Sequence, residues 1–379
     1  MIHYISPSNF PSKTANSIHV LRQCIALNTL GYDVKLYGRR TVKKNLKEEI
    51  ENSYGFSVEG LLLKTYYSVF SKGDNIVIAI FSIISMLFGK KPELILSRNL
   101  YATFVLSVIL PMKSIYEVHL VETGWRKRLQ SSVLRSKRVK TILISNKLRE
   151  ILELEVGIKI RESIVLHDAA PTGIKTLNTE EKTALLTELQ VDTHKWSFRC
   201  GYFGHLYAGR GIELIEMLSS QLPNVLFLVV GGNDEEVKLR TEKNKNCNIR
   251  FIGHVSNEKA LSLMRCFDVL LMPYQKKVTL GAGKFDTARW MSPMKMFEYL
   301  ASGACIISSD LPVLREVLVQ DKNAILKDPE DVSAWRDSIE ILMRDQKLAK
   351  RLSQNARKDY LNKYSWSQRA ESILNYSRK

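Results

Sequence analysis

The stretch Trp290-Met-Ser-Pro-Met-Lys-Met-Phe-Glu-Tyr-Leu-Ala-Ser-Gly303, running into Ala304-Cys-Ile-Ile-Ser-Ser309, decides how the rest of the chain is read. It is a helix followed by a strand. Ser292 suits an N-cap, and Pro293 suits the first helical position. Free amides at Met294 and Lys295 then face outward at a helix N-terminus, which carries partial positive charge and favours a diphosphate. Lys295 adds a full charge there. Glu298, three residues on, shares that flank, and its carboxylate can accept both hydroxyl hydrogens of a ribose. The plain alternative is that Lys295 and Glu298 form a surface ion pair worth a few tenths of a kcal/mol.

Outward from this stretch, strands and helices alternate in both directions. Before it, Arg199–Phe203, Val225–Val230, Asn248–Ile252 and Val269–Met272 read as strands, with helices beginning near Gly211, Asp234 and Asn257. After it, Ala304–Ser308 and Ala324–Leu326 are strands, with helices near Leu311 and Asp331. From Asp345 to Arg378 the chain is helical, with Tyr360, Tyr364 and Trp366 as aromatic anchors. The first half repeats the rhythm: strands at Ile2–Ile5, Asp33–Tyr37, Leu94–Ser97, Ser114–Val118 and Thr141–Ser145, and a helix over Ala15–Leu30 ended by Gly31. Repeated βα units mean parallel sheets covered by helices. The polar stretch Pro171–Lys195 breaks the rhythm. The expected class is therefore α/β, two Rossmann-like doubly wound domains facing a central cleft. The first spans residues 1–185 and the second 196–365, with a C-terminal helix over 366–379 that packs back on the first.

Composition narrows the partners. The chain has 379 residues, 45% hydrophobic and 25% charged, enough for real cores and unlike a disordered protein. Five cysteines are scattered with no CxxC pair and no metal spacing, which argues for a reducing compartment and against structural zinc. No signal-peptide pattern opens the sequence. A net charge of +17 favours polyanions, yet no nucleic-acid-binding signature is present. The apolar runs Asn75–Phe88 and Ala102–Leu110 are too short to span a bilayer. They read as buried core helices or, alternatively, as a helix lying on an anionic membrane surface beside Lys90 and Lys91.

Other motifs carry chemistry. Gly201-Tyr-Phe-Gly-His-Leu-Tyr-Ala-Gly-Arg-Gly211 joins a strand end to a helix, with glycines that let backbone approach a ligand and Arg210 placed for phosphate oxygens. Arg250-Phe-Ile-Gly-His-Val255 and Tyr116-Glu-Val-His119 end strands. Each alone also reads as an ordinary βα turn.

Taken together and in order, these motifs resemble retaining GT-B glycosyltransferases, family four in particular (glycosyl transferases group 1). The resemblance covers nearly the whole chain and is strongest from Gly201 to Asp310. It implies that Gly204, His205, Arg210, His254, Val255, Ser292, Met294, Lys295 and Glu298 bind a nucleoside-diphosphate sugar. His254 and Val255 meet the base, Glu298 holds the ribose, and Arg210 and Lys295 hold the diphosphate. It places His119 beside the reacting sugar and makes His119, Lys295 and Arg210 the catalytic set, with no metal and no cofactor beyond the co-substrate. Two departures stand out. Trp290 occupies the position of the family's first glutamate, and Lys13, Thr14 and Asn16 stand where the family has a Gly-Gly loop over sugar and acceptor. His167 and Asp168 also differ from the family's usual Asn-Gly-Val-Asp. His19 lies in the helix after that loop. The implied function is transfer to a glycan or polyprenyl-linked acceptor in bacterial surface polysaccharide synthesis, in the cytoplasm, peripheral on the inner membrane face, with no nucleic-acid partner. The alternatives are a GT-B-fold nucleotide-sugar epimerase and a non-catalytic nucleotide-binding relative.

Overall fold

A computed structural model of the chain describes residues 1–12, 14–43, 45–68, 73–157, 159–160, 162–192, 195–278 and 286–379. Its elements run β1 (Ile2–Phe10), α1 (Ala15–Thr29), β2 (Val34–Arg40), α2 (Leu46–Tyr54), β3 (Leu62–Tyr67), α3 (Asp74–Leu87), β4 (Leu94–Ser97), α4 (Leu100–Phe104) with a π-helical turn Val105–Ile109, β5 (Ser114–Val118), α5 (Trp125–Arg135), β6 (Val139–Leu143), α6 (Asn146–Val156) and β7 (Ser163–Val165). They continue as α7 (Thr179–Thr187), β8 (Phe198–Phe203), α8 (Ile212–Gln221), β9 (Val225–Val230), α9 (Asp234–Lys243), β10 (Ile249–Gly253), α10 (Asn257–Met264), β11 (Val269–Met272), α11 (Met294–Ser302), β12 (Cys305–Ser309), β13 (Ile325–Lys327), α12 (Val332–Arg344), α13 (Gln346–Lys363) and α14 (Trp366–Arg378).

The chain divides into two compact units, Met1–Asp168 with Trp366–Lys379, and Ala169–Ser365. The stretch 169–185, placed with the first domain on sequence, therefore lies in the second unit. There Ala170 N–H donates to Tyr364 O at 2.9 Å, and α7 packs against α10.

The first unit holds a seven-stranded parallel sheet in the order β3-β2-β1-β4-β5-β6-β7. The sequence does not mark its two edge strands, β3 and β7, because edge positions stay half-exposed and carry no continuous apolar run. The second unit holds a six-stranded parallel sheet, β10-β9-β8-β11-β12-β13. Its β9, Val-Leu-Phe-Leu-Val-Val, is buried along its whole length, as a strand covered on both faces must be. Each sheet reverses its winding at one point, between β1 and β4 in the first and between β8 and β11 in the second. Open parallel sheets bind ligands beyond the strand carboxyl ends at such points.

Local chemistry sets several helix starts. Asn178 with Glu181 and Asn233 with Glu236 form full capping boxes on α7 and α9, and Ser145 accepts from Leu148 N–H at the start of α6. The expected helix near Leu311 is only a 3-10 turn, Leu314–Glu316. The apolar run at 75–88 is α3, and it is buried on one side only, so it is not a wholly buried core helix.

Candidate functional site

In the second unit, the β8/β11 switch point gathers most of the residues singled out above. Strand β8 ends at Phe203, whose N–H donates to the buried Tyr299 hydroxyl at 2.9 Å. Gly204 follows with φ +144°. A Cβ there would come within 3.2 Å of Lys295 Nζ and 3.3 Å of the Tyr202 hydroxyl, so it would press on the lysine, and the positive φ itself favours glycine.

Lys295 enters from the start of α11. Its Nζ lies 4.1 Å from the Tyr202 ring centroid and 4.6 Å from that of Tyr274. The Arg210 guanidinium sits 5.2 Å from the same Tyr274 ring, and its buried Nε has no hydrogen-bond partner among the described residues. Two cations thus share one aromatic ring. Burial, then the charge of Arg210, holds the Lys295 ammonium well below the usual lysine range, against the opposing pull of Glu298. His205 stacks on Tyr207 at 4.8 Å, and burial together with Arg210 and Lys295 lowers its pKa. It is set up to hydrogen-bond as a neutral imidazole.

The start of α11 is one residue later than the sequence suggested. Pro293 is the N-cap, in an extended conformation, with no side-chain cap, and Met294 is the first helical residue. Ser292, buried, therefore stands one position outside the helix. Pro293 O accepts from Met296 N–H at 2.9 Å, which leaves the amides of Met294 and Lys295 in the first turn, where the helix ladder supplies no acceptor. Glu298 is buried rather than part of a surface pair, and its Oε1 accepts from Asn257 Nδ2 at 3.2 Å. Trp290, at the position of the family's first glutamate, is buried. At the end of β10, His254 is exposed and Val255 packs against the core.

In the first unit, His119 and His19 meet over one carboxylate. His119 Nε2 and His19 Nε2 lie 2.8 and 2.9 Å from Glu117 Oε1. His19 Nδ1 lies 3.1 Å from Asp168 Oδ1. Arg369, from α14, donates to the same Glu117 oxygen at 2.9 Å, to Gln23 Oε1 at 2.6 Å and to His167 O at 2.9 Å. Tyr4 donates to Glu117 Oε2 at 3.0 Å, and the His19 ring meets Trp366 edge-on at 4.8 Å. Burial alone would raise the Glu117 pKa. Arg369 and the two histidines outweigh it and hold the carboxyl well below its ordinary range. Burial, helped by Arg98, lowers His119 to about 4 despite Glu117.

His19, Glu117 and His119 have the donor atoms of a cation site. However, the Arg369 guanidinium already occupies the shared Glu117 oxygen, which makes this a buried ion-pair cluster. Sequence reading missed Glu117 and Arg369. Glu117 was within reach, because an acid two residues before His119 on a strand lies on the same face. Arg369 carries no such signal. Just before α1, Thr14 is exposed and 2.9 Å from Ser12 Oγ, and in the first turn of α1 Asn16 donates to Ser8 Oγ at 2.8 Å. Lys13 lies outside the described residues.

Similarity to known proteins follows the same division. Residues 209–359 match the family Glycosyl transferases group 1. The matched segment holds Arg210, Lys295 and Glu298. A phosphatidyl-myo-inositol mannosyltransferase from Mycolicibacterium smegmatis is 25% identical over 163 residues, 43% of this chain and 39% of that protein. The match thus spans about two fifths of the relative's length. Among solved structures, sucrose-phosphate synthase (tll1590) from Thermosynechococcus elongatus superposes with a TM-score of 0.76 at 16% identity, covering 100% of this chain and 98% of that one. Anabaena Alr3699/HepE in complex with UDP gives 0.74 at 13% identity, covering 100% and 99%. With these neighbours and two parallel α/β sheets, the fold is GT-B.

Proposed function

We propose that the protein is a retaining, metal-independent glycosyltransferase. It moves a sugar from a nucleoside-diphosphate donor to a glycan or lipid-linked acceptor. The observation that carries this reading is the pair Arg210 and Lys295 over one Tyr274 ring at the first turn of α11. Two partly desolvated cations beside free helix amides are unfavourable alone and favourable around a diphosphate. Glu298 then takes the ribose hydroxyls, and His254 and Val255 the base edge.

In the reaction, the bond between the sugar anomeric carbon and the β-phosphate oxygen breaks. The acceptor hydroxyl oxygen bonds to that carbon from the same face, and its proton passes to the departing phosphate. Arg210, Lys295 and the α11 amides stabilise the charge growing on that phosphate. His119 orients the sugar hydroxyls. Supporting names come from similar proteins: one is a phosphatidyl-myo-inositol mannosyltransferase, and HepE was solved with UDP and with UDP-glucose. A lipid-borne acceptor would place the protein peripherally on the cytoplasmic membrane face, in surface polysaccharide synthesis.

The test has two stages. A thermal-shift screen with UDP, GDP, ADP and their sugars identifies the donor, because a bound ligand raises the melting temperature. Transfer assays on the identified donor then compare wild type with Arg210→Ala and Glu298→Ala. Rates close to wild type in both folded variants would defeat the assignment. Conversion of donor without any acceptor would favour an epimerase instead.

A further inference from the structure

Helix α3 is apolar on two opposite faces. At about 100° per residue, Ile78, Ala79, Ser82 and Met86 share one sector and are buried, where the helix packs on β1, β2 and α4. Ile76, Val77, Ile80, Ile84 and Leu87 share the other, and each is 45 to 61% exposed. Phe88, one residue past the helix, is 89% exposed. The only charged residue of α3 is Asp74, and Arg39 pairs with it at 2.5 Å. A helix apolar all round is ordinarily buried, and an uncovered apolar ridge of this length marks an interaction surface. No described helix is long and apolar enough to cross a membrane.

Charge surrounds this ridge on one side. In a parallel sheet the connecting helices run against the strands, so α3, the π-helical turn and α5 all end at the same edge of the unit. Exposed Lys90 and Lys91 follow α3. Ile109, 64% exposed, closes the π-helical turn, and exposed Lys113 comes soon after. Arg135, at the end of α5, lines a cavity of about 410 Å³ with Lys137, Arg138, Ser132 and Ser136, and no carboxylate is among the described lining residues.

We propose that this face docks on an anionic lipid bilayer, with α3 lying in the interface plane and lipid phosphates meeting Lys90, Lys91 and the Arg135–Lys137–Arg138 cavity. This names the partner surface of the peripheral location proposed above and rests on that reading for its purpose, though not for its geometry. The apolar ridge fits the acyl boundary, and the basic rim fits the headgroups. A second copy of the chain fits worse, because a self-complementary contact would press these basic rims together in a protein already carrying a net charge of +17.

Co-sedimentation of the full chain with vesicles of phosphatidylglycerol mixed with phosphatidylcholine, against phosphatidylcholine alone, tests this. Wild type should pellet with the anionic vesicles, less at high salt, and hardly at all with the neutral ones. The double substitution Ile80→Ser with Ile84→Ser should weaken partitioning by about tenfold or more. Arg135→Ala with Lys137→Ala and Arg138→Ala should weaken it by roughly fivefold per residue. Both sets replace exposed side chains, so unchanged melting temperatures and unchanged nucleoside-diphosphate binding without vesicles keep this test separate from the donor assignment. Equal pelleting with both vesicle types, or no pelleting, overturns the proposal. So does a concentration-dependent dimer that the Ile80→Ser, Ile84→Ser pair abolishes.

Discussion

Arg369 and Glu117 stand 252 residues apart in sequence and 2.9 Å apart in space, both buried. The guanidinium comes from the last helix, α14, which lies against α1 in the first unit. Glu117 Oε1 is hydrogen-bonded to Arg369 and His119 and lies 2.9 Å from His19 Nε2, so one carboxylate sits against both imidazoles. Helix α14 thereby becomes part of the environment of His119.

Removing one partner of a buried pair leaves the other charge uncompensated. Arg369→Met should therefore destabilise the protein by about 3–5 kcal/mol, read as a lower urea midpoint. The added substitution Glu117→Gln should recover part of that loss, because it removes the stranded charge. Independent, additive effects of the two changes would show that the pair is not coupled.

Acid should destabilise the fold over a definite window. His119 falls from 6.5 to about 4 in the folded chain, and so does buried His3. The folded state therefore binds fewer protons than the unfolded state between these values, and stability rises with pH across that range. It is complete above about 6.5 and lost as pH falls towards 4. For His119 the difference is worth roughly 3 kcal/mol. Urea midpoints measured from pH 7 to pH 4 should fall, and the fall should be smaller in His119→Gln.

Lys295 should matter more for binding than for stability. It is half-buried, next to Arg210, and held below its ordinary pKa. Lys295→Met keeps the apolar contacts with Tyr202 and Tyr274 while removing a disfavoured charge. Its melting temperature should match or exceed wild type, while affinity for a nucleoside diphosphate falls by about 1.5–3 kcal/mol, the worth of a charged hydrogen bond. Binding in the wild type should also take up protons at alkaline pH, because the diphosphate restores the ammonium form. Calorimetry in buffers of different ionisation heat would detect that uptake.

Gly211 should tolerate no side chain. Its φ is +78°, and a Cβ there would collide with the Pro273 carbonyl oxygen, which is backbone and cannot swing away. Gly211→Ala should cost about 1–3 kcal/mol and displace Arg210 next to it. A lower melting temperature together with weaker nucleoside-diphosphate binding is the expected result. Loss of stability with unchanged affinity would separate the glycine from the site.

The sequence alone specified the βα alternation and the two parallel sheets, and it singled out the residues from Gly204 to Glu298 as candidates, because hydrophobic period, glycine position and helix-start chemistry are local properties. It fell short where the deciding contact was remote. Glu298 looked equally suited to a surface pair until Asn257, 41 residues earlier, proved to hold it in a buried place. The edge strands β3 and β7 went unread, since half-exposed strands carry weak patterns. Only the tertiary structure brought Arg369 to Glu117, shared Tyr274 between Arg210 and Lys295, and left one face of α3 uncovered. An apolar run is the same string of letters whether its outer face meets protein or solvent, and a buried charge finds its partner through folding, not through its neighbours in the chain.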